Sequence, residues 1–175
     1  MELFDTYDEN GKPTGEAVDD DIVHAQGLWH KNAHIWIMND RNQILLQKRS
    51  AEKKHFADLW MYSAAGHLSA GETSIECAIR ETGEEIGIDV TENQLEYLYT
   101  TKESFVPDNN EFNDIYLLKL NLDLADFSLQ ESEVADLKWI DFAEFTDMVN
   151  KKSGELVPQW DYLEKLIKCL DTARV

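Results

Sequence analysis

Alternating and continuous apolar runs divide the chain into short elements. Glu2-Leu3-Phe4-Asp5-Thr6-Tyr7-Asp8 meets the turn sequence Glu9-Asn10-Gly11-Lys12, so a hairpin is expected over residues 1–20. Ala33-His34-Ile35-Trp36-Ile37-Met38 reads as a strand, Asn39-Asp40-Arg41-Asn42 turns, and Gln43-Ile44-Leu45-Leu46-Gln47-Lys48 returns as its partner. After an irregular stretch, Met61-Tyr62-Ser63-Ala64-Ala65 runs into Gly66. A helix is expected over 74–86, with Gly87 placed to stop it. Strands follow at 95–101, 114–120 and 137–140, then helical patterns at 142–150 and 160–171. Strands around an internal helix, with more strands after it, predict a mixed α+β or α/β sandwich rather than a doubly wound sheet.

Composition narrows the class. The 175 residues are 43% hydrophobic, enough to bury one core, so a single domain over 1–175 is expected, with the hairpin 1–20 as an extension. The start does not resemble a signal peptide, and no apolar run approaches the ~18 residues of a bilayer span. A cytoplasmic protein is expected. Cys77 and Cys169 have no partner at ligand spacing, which predicts two free buried thiols. Against 35 Asp and Glu stand 16 Lys and Arg, a formal charge of −19, which argues against nucleic-acid polymers and membranes as partners. A small polyphosphate is compatible, because it arrives with Mg²⁺ and needs only a few local cations. Neither GxGxxG nor a P-loop is present.

The chemistry concentrates on the 74–86 helix. At ~100° per residue, Glu81, Glu84 and Glu85 share one face, while Ile75, Ala78, Ile79, Thr82 and Ile86 fill the adjoining sector. Like charges at these spacings repel, and they sit at the unfavourable C-terminal end of the helix dipole. A counter-charge is expected. Several carboxylate oxygens suit a hard ion such as Mg²⁺ or Mn²⁺, so Glu81, Glu84 and Glu85 are candidate ligands. Upstream, Lys48, Arg49, Lys53 and Lys54 form a rare basic cluster in this acidic chain and are candidate phosphate contacts.

The surrounding positions sharpen this reading. Gly66, Glu72, Arg80, Glu81, Glu84, Glu85, Gly87 and apolar Ile88 match the spacing GX5EX7REUXEEXGU, where U is a bulky apolar residue. That pattern resembles the Nudix hydrolase box. Thr82 departs from the first U, but it is β-branched and close in shape to Val. The resemblance implies a Nudix-like α/β/α sandwich with a mixed sheet and a loop-helix-loop platform. It implies an enzyme that hydrolyses a diphosphate joined to a nucleoside or another group. In that pattern Glu84 and Glu85 would ligate the metal, Glu81 would be a ligand or the base, and the Gly66 carbonyl a further ligand. Arg80 and Glu72 would orient these groups, and Gly71 and Gly87 would shape the loop and the helix end.

Outside the box the chain is similar to the Nudix branch that includes type 1 isopentenyl diphosphate isomerase. Lys48-Arg49, Lys53, Leu59-Trp60 and Gly66-His67 carry the similarity. It implies an isomerase as the alternative function, yet Ala65 stands where those isomerases hold a cysteine and has no proton to exchange. His24, His30 and His67, with Glu111 and Asp114, roughly follow the isomerase metal ligands and imply a second metal site. Glu111, with Asp114 nearby, could instead supply a remote ligand or base. Substrate contacts are expected among Trp29, Phe56, Trp60, Tyr62 and Phe105. The resemblance also implies a homodimer. A broken box would mark a catalytically silent sensor, and all its carboxylates are present here.

Overall fold

A computed structural model describes residues 2–106 and 109–173, without the side chains of residues 105, 106 and 173. Phe105, one of the expected substrate aromatics, therefore has its side chain outside the described residues. The strands are β1 (Leu3–Tyr7), β2 (Pro13–Asp19), β3 (Trp29–Met38), β4 (Gln43–Arg49), β5 (Trp60–Met61), β6 (Ala64–His67), β7 (Leu95–Val106), β8 (Asn109–Lys119) and β9 (Val134–Asp141). The helices are α1 (Asp20–Gln26), α2 (Ser74–Ile86), α3 (Phe142–Asn150) and α4 (Trp160–Ala173).

Strand β3 is the spine of the sheet. Along one edge it pairs in parallel with β8, from Trp29 opposite Asn110 to Met38 opposite Lys119. Along the other edge it meets β1, β6 and β4 in turn, each antiparallel. A parallel pair requires a crossover, and the connection from β3 to β8 includes α2. Side chains alternate across a strand, so the two faces of β3 and β8 enter different cores. Ala33, Ile35, Ile37, Tyr116 and Leu118 pack on the α2 side with Cys77, Ala78 and Ile86. Trp36, Met38, Ile115 and Leu117 pack with Phe145, Leu163, Leu166 and Leu170 of α3 and α4. Helices thus cover both faces of a mixed sheet, as the apolar pattern predicted.

Helix α2 is set by local chemistry. Thr73 and Glu76 form a reciprocal capping box at its start, and Gly87 takes the left-handed conformation, φ 72°, at its end. The Thr82 hydroxyl donates to the Ala78 carbonyl at 2.7 Å, so this residue is buried without an unpaired polar group.

The structure departs from the apolar pattern at several points, β7 and β9 being longer than the expected 95–101 and 137–140. Helix α1 was not expected; at two turns it is too short to show a period, although Asp19 caps it and Gly27 ends it at φ 61°. Strands β3 and β8 begin earlier than expected, at Trp29 and Asn109. Their first turns are polar because His30, Asn32, Glu111 and Asn113 are buried there without joining an apolar core. Cys169 is half-buried rather than buried; both thiols are free. Among the described residues no helix is long and apolar enough to cross a membrane.

Candidate active site

The glycine-led loop 66–73 and α2 bring the box residues onto one another. Arg80 is the hub. Its Nε and Nη2 hold the two oxygens of Glu72 at 2.8 and 2.9 Å, and Nη2 also donates to the His67 carbonyl at 3.1 Å. Nη1 reaches Glu81 at 2.6 Å and Glu84 at 3.2 Å. Burial alone would raise Glu72, yet the Arg80 hydrogen bonds and the Ser69 N–H outweigh it and hold its carboxyl low. One guanidinium is thereby shared among three carboxylates.

Glu85 lies deeper, only 6% exposed. One of its oxygens accepts from the Ala65 N–H at 2.9 Å and from Gln47 at 3.4 Å. Burial, reinforced by Glu81 and Glu133 nearby, pushes its carboxyl up to about 8. Burial also raises Glu81, in spite of Arg80. A Cβ built on Gly66 would lie 1.8 Å from Glu81 Oε1, so a side chain here would push this carboxylate out of its place. The Gly66 carbonyl, Glu81, Glu84 and Glu85 are oxygen donors carried by the loop and by α2, and Arg80 reaches two of the three carboxylates. This donor set fits a hard divalent cation.

The expected phosphate contacts border the site but are engaged. Lys53 pairs with Glu133, Lys48 lies 3.5 Å from Asp58, and Arg49 donates to the His55 carbonyl at 3.0 Å and the Met61 sulfur at 3.3 Å. Of the aromatic candidates, Tyr62 is buried and stacks on His34 with centroids 4.0 Å apart. Trp60 lies half-buried beneath Lys138, Phe56 packs at the rim of the core, and Trp29 packs on Phe112.

A second cluster forms on the α4 side of the sheet. One ring nitrogen from each of His24, His30 and His67 lies within 4.8 Å of the others. Glu111 Oε1 approaches His67 Nε2 at 3.3 Å and His30 Nε2 at 3.8 Å. The Nδ1 atoms of His24 and His30 are anchored on the Asp20 and Leu28 carbonyls, which orients their other nitrogens. Phe4 stacks on His30 and His67. Burial, then neighbouring His67, lowers His30 to about 4. Burial alone would raise Glu111, but His67, His30 and His34 around it bring it down to about 2. Asp114 does not join this cluster. It alternates to the opposite face of β8, where it accepts from Thr100 and lies 3.5 Å from Lys31.

Gln47 and Glu133, both against the box, escaped the sequence reading because they come from β4 and from the segment before β9. Their proximity is set by register, not by spacing along the chain.

A mixed sheet between helix layers, with a glycine-led loop and a carboxylate-bearing helix on one face, defines an α/β/α protein built around a loop-helix-loop platform. A family model for the NUDIX domain matches residues 28–160, and the chain belongs to this family. Nudix hydrolase 3 of Arabidopsis thaliana is 34% identical over 165 residues, which is 90% of this chain but only 21% of that protein. An uncharacterized Nudix hydrolase of Listeria monocytogenes is 33% identical, covering 90% of this chain and 89% of its own. The isopentenyl-diphosphate Delta-isomerase 2 of Photorhabdus laumondii is 29% identical over 85% of this chain and 82% of its own. Among solved structures, a Deinococcus radiodurans protein superposes with a TM-score of 0.73 at 17% identity, over 94% of this chain and 98% of its own. The Nudix domain of Shewanella oneidensis NrtR, solved with ADP ribose, gives 0.61 at 19% identity, over 90% and 94%.

Proposed function

We propose that this chain is a pyrophosphohydrolase dependent on Mg²⁺ or Mn²⁺ that cleaves a phosphoanhydride bond in a nucleoside diphosphate-X or related small diphosphate compound. The observation that carries this reading is the buried Glu85, beside Glu81 and Glu133, in a site whose arginine is already shared by three other carboxylates. Glu81, Glu84, Glu85 and the Gly66 carbonyl would hold the cation. When bound, it neutralises charge developing on the phosphoryl oxygens and makes a coordinated water more acidic. Arg80 and Glu72 lock the loop onto the helix and keep Glu81 and Glu84 aimed. Glu81, raised by burial, is suited to accept a proton from the attacking water. Lys48, Arg49 and Lys53 bind the phosphates. A compound such as ADP ribose, two phosphates joining neutral groups, suits this arrangement.

One observation favours a second reading. The cluster of His24, His30, His67 and Glu111 would suit a second, nitrogen-ligated cation, as the resemblance to the isomerase branch implies. Against an isomerase, Ala65 stands opposite His34 in β6 and offers no acid for the allylic carbon. Ala65→Cys alone is expected to give no efficient isomerisation, and an active variant would reverse the ranking.

The test is a product-resolved screen with Mg²⁺ and Mn²⁺ over nucleoside di- and triphosphates, nucleotide sugars, dinucleotides and isopentenyl diphosphate. Hydrolysis that vanishes in Glu85→Gln is expected. Dimethylallyl diphosphate as product would establish the isomerase, and silence throughout would favour a catalytically silent sensor.

A further inference from the structure

Strand β4 carries a polar side chain where its alternation calls for an apolar one. Ile44 and Leu46 enter the core beneath α3 and α4, while Leu45 enters the core beneath α2. Gln47 follows Leu45 on that second face, opposite Leu137 of the same core. It is 3% exposed, yet only half of its amide is used. Nε2 donates to Glu85 Oε2 at 3.4 Å, and Oε1 is buried without a partner. Turning the amide over at best exchanges which of its atoms is left unpaired.

An unpaired buried amide atom lowers stability, whereas a hydrocarbon of the same length would pack at this position without that penalty. What the amide contributes is a hold on Glu85. Two donors from two strands meet on one carboxylate oxygen: the Ala65 N–H of β6, at 2.9 Å, and Gln47 of β4. Among the described residues, Gln47 is the one side chain that donates to Glu85, and Glu85 Oε1 accepts no hydrogen bond. Tying Oε2 to the sheet fixes the rotation of the carboxylate and leaves Oε1 for another partner. Glu81 and Glu84 are held differently, by Arg80 of their own helix.

We propose that Gln47 is a positioning residue for the cation: it fixes Glu85 so that Oε1 is presented to the metal, and its amide serves metal binding at the expense of the metal-free fold. The inference rests on the reading above, in which Glu85 is a metal ligand. Removing a partner that orients a metal ligand typically weakens metal binding about 10- to 100-fold.

The test is Mn²⁺ titration of metal-stripped protein, followed by electron paramagnetic resonance, with melting curves of the same metal-free samples. Gln47→Met keeps the length of the side chain and removes its N–H; Gln47→Leu is the second variant if the first does not fold. Mn²⁺ binding is expected to weaken about tenfold or more, while the metal-free melting temperature stays unchanged or rises. A group that only supports the fold would move the two readouts together. Wild-type Mn²⁺ affinity in a folded variant would overturn the inference, since Glu85 would then be held without the amide. A loss of affinity matched by a lower metal-free melting temperature in both variants, or failure of both to fold, would overturn it in favour of a structural role. None of these results touches the hydrolase reading, which fails instead if Glu85→Gln binds Mn²⁺ as the wild type does.

Discussion

Strand β6 separates two ionisable centres: Gly66 faces the box carboxylates, and His67, the next residue, faces the histidine cluster. Burial acts on both, with opposite signs. At the box it raises Glu81 and carries Glu85 up to about 8, because the charged form of an acid is the one that loses water. At the cluster it lowers His30 to about 4, because there the charged form is the protonated one. Glu111 escapes the rise, since His67 bonds it directly and three imidazoles surround it. The contrast shows what each centre lacks. The box is short of positive charge at neutral pH and has hard oxygen donors, whereas the cluster presents neutral nitrogens and one carboxylate.

The largest effect that would sharpen this comparison is expected from the box carboxylates. Glu84→Gln or Glu85→Gln should lower kcat about 1,000-fold or more with the fold retained, since charge neutralisation at a metal is worth several kcal/mol. Near-normal turnover in both variants would place the cation elsewhere. Gly66→Ala comes next. Its methyl group would collide with Glu81, and a loss of about 100-fold in kcat is expected, the usual scale when a reacting group is displaced by about 1 Å; an active alanine variant would show that the loop does not position Glu81.

A third effect separates the centres by pH. In metal-free protein Glu85 holds a proton that the unfolded chain has released between about pH 4.5 and 8, so its contribution to stability falls as pH rises through that window. His30 works the other way. Its contribution is complete above its ordinary value of 6.5 and is lost as pH falls toward about 4. Melting curves of the metal-stripped protein should therefore show a decline toward pH 8 that Glu85→Gln abolishes. A decline that survives the substitution would assign it to another group. The smallest effect is expected at the phosphate contacts, where Lys53→Ala should raise KM about tenfold with kcat nearly unchanged, the signature of uniform binding lost.

How much of this was legible in the sequence follows from the range of each signal. Helix α2 was readable because its caps, its apolar sector and its stop at Gly87 all lie within one local stretch. The box residues came with it, and the orienting role of Arg80 and Glu72 was implied by the family resemblance rather than by spacing. The histidine cluster was only partly legible. His30 and His67 sit on strands in register with their neighbours, but His24 arrives on the short helix α1, and Phe4 stacks against the rings from β1. Asp114 was misplaced because strand parity depends on the starting register, which spacing alone does not reveal. The same limit hid Gln47 and Glu133, whose neighbours come from distant parts of the chain.

Mn²⁺ titration of metal-stripped protein, followed by electron paramagnetic resonance and by turnover in the same samples, tests the central claim most directly. Turnover should rise with occupancy of a site that Glu85→Gln removes and that His67→Asn leaves in place. Equal Mn²⁺ binding by the Glu85 variant, or turnover that persists in chelator without any metal, would contradict it.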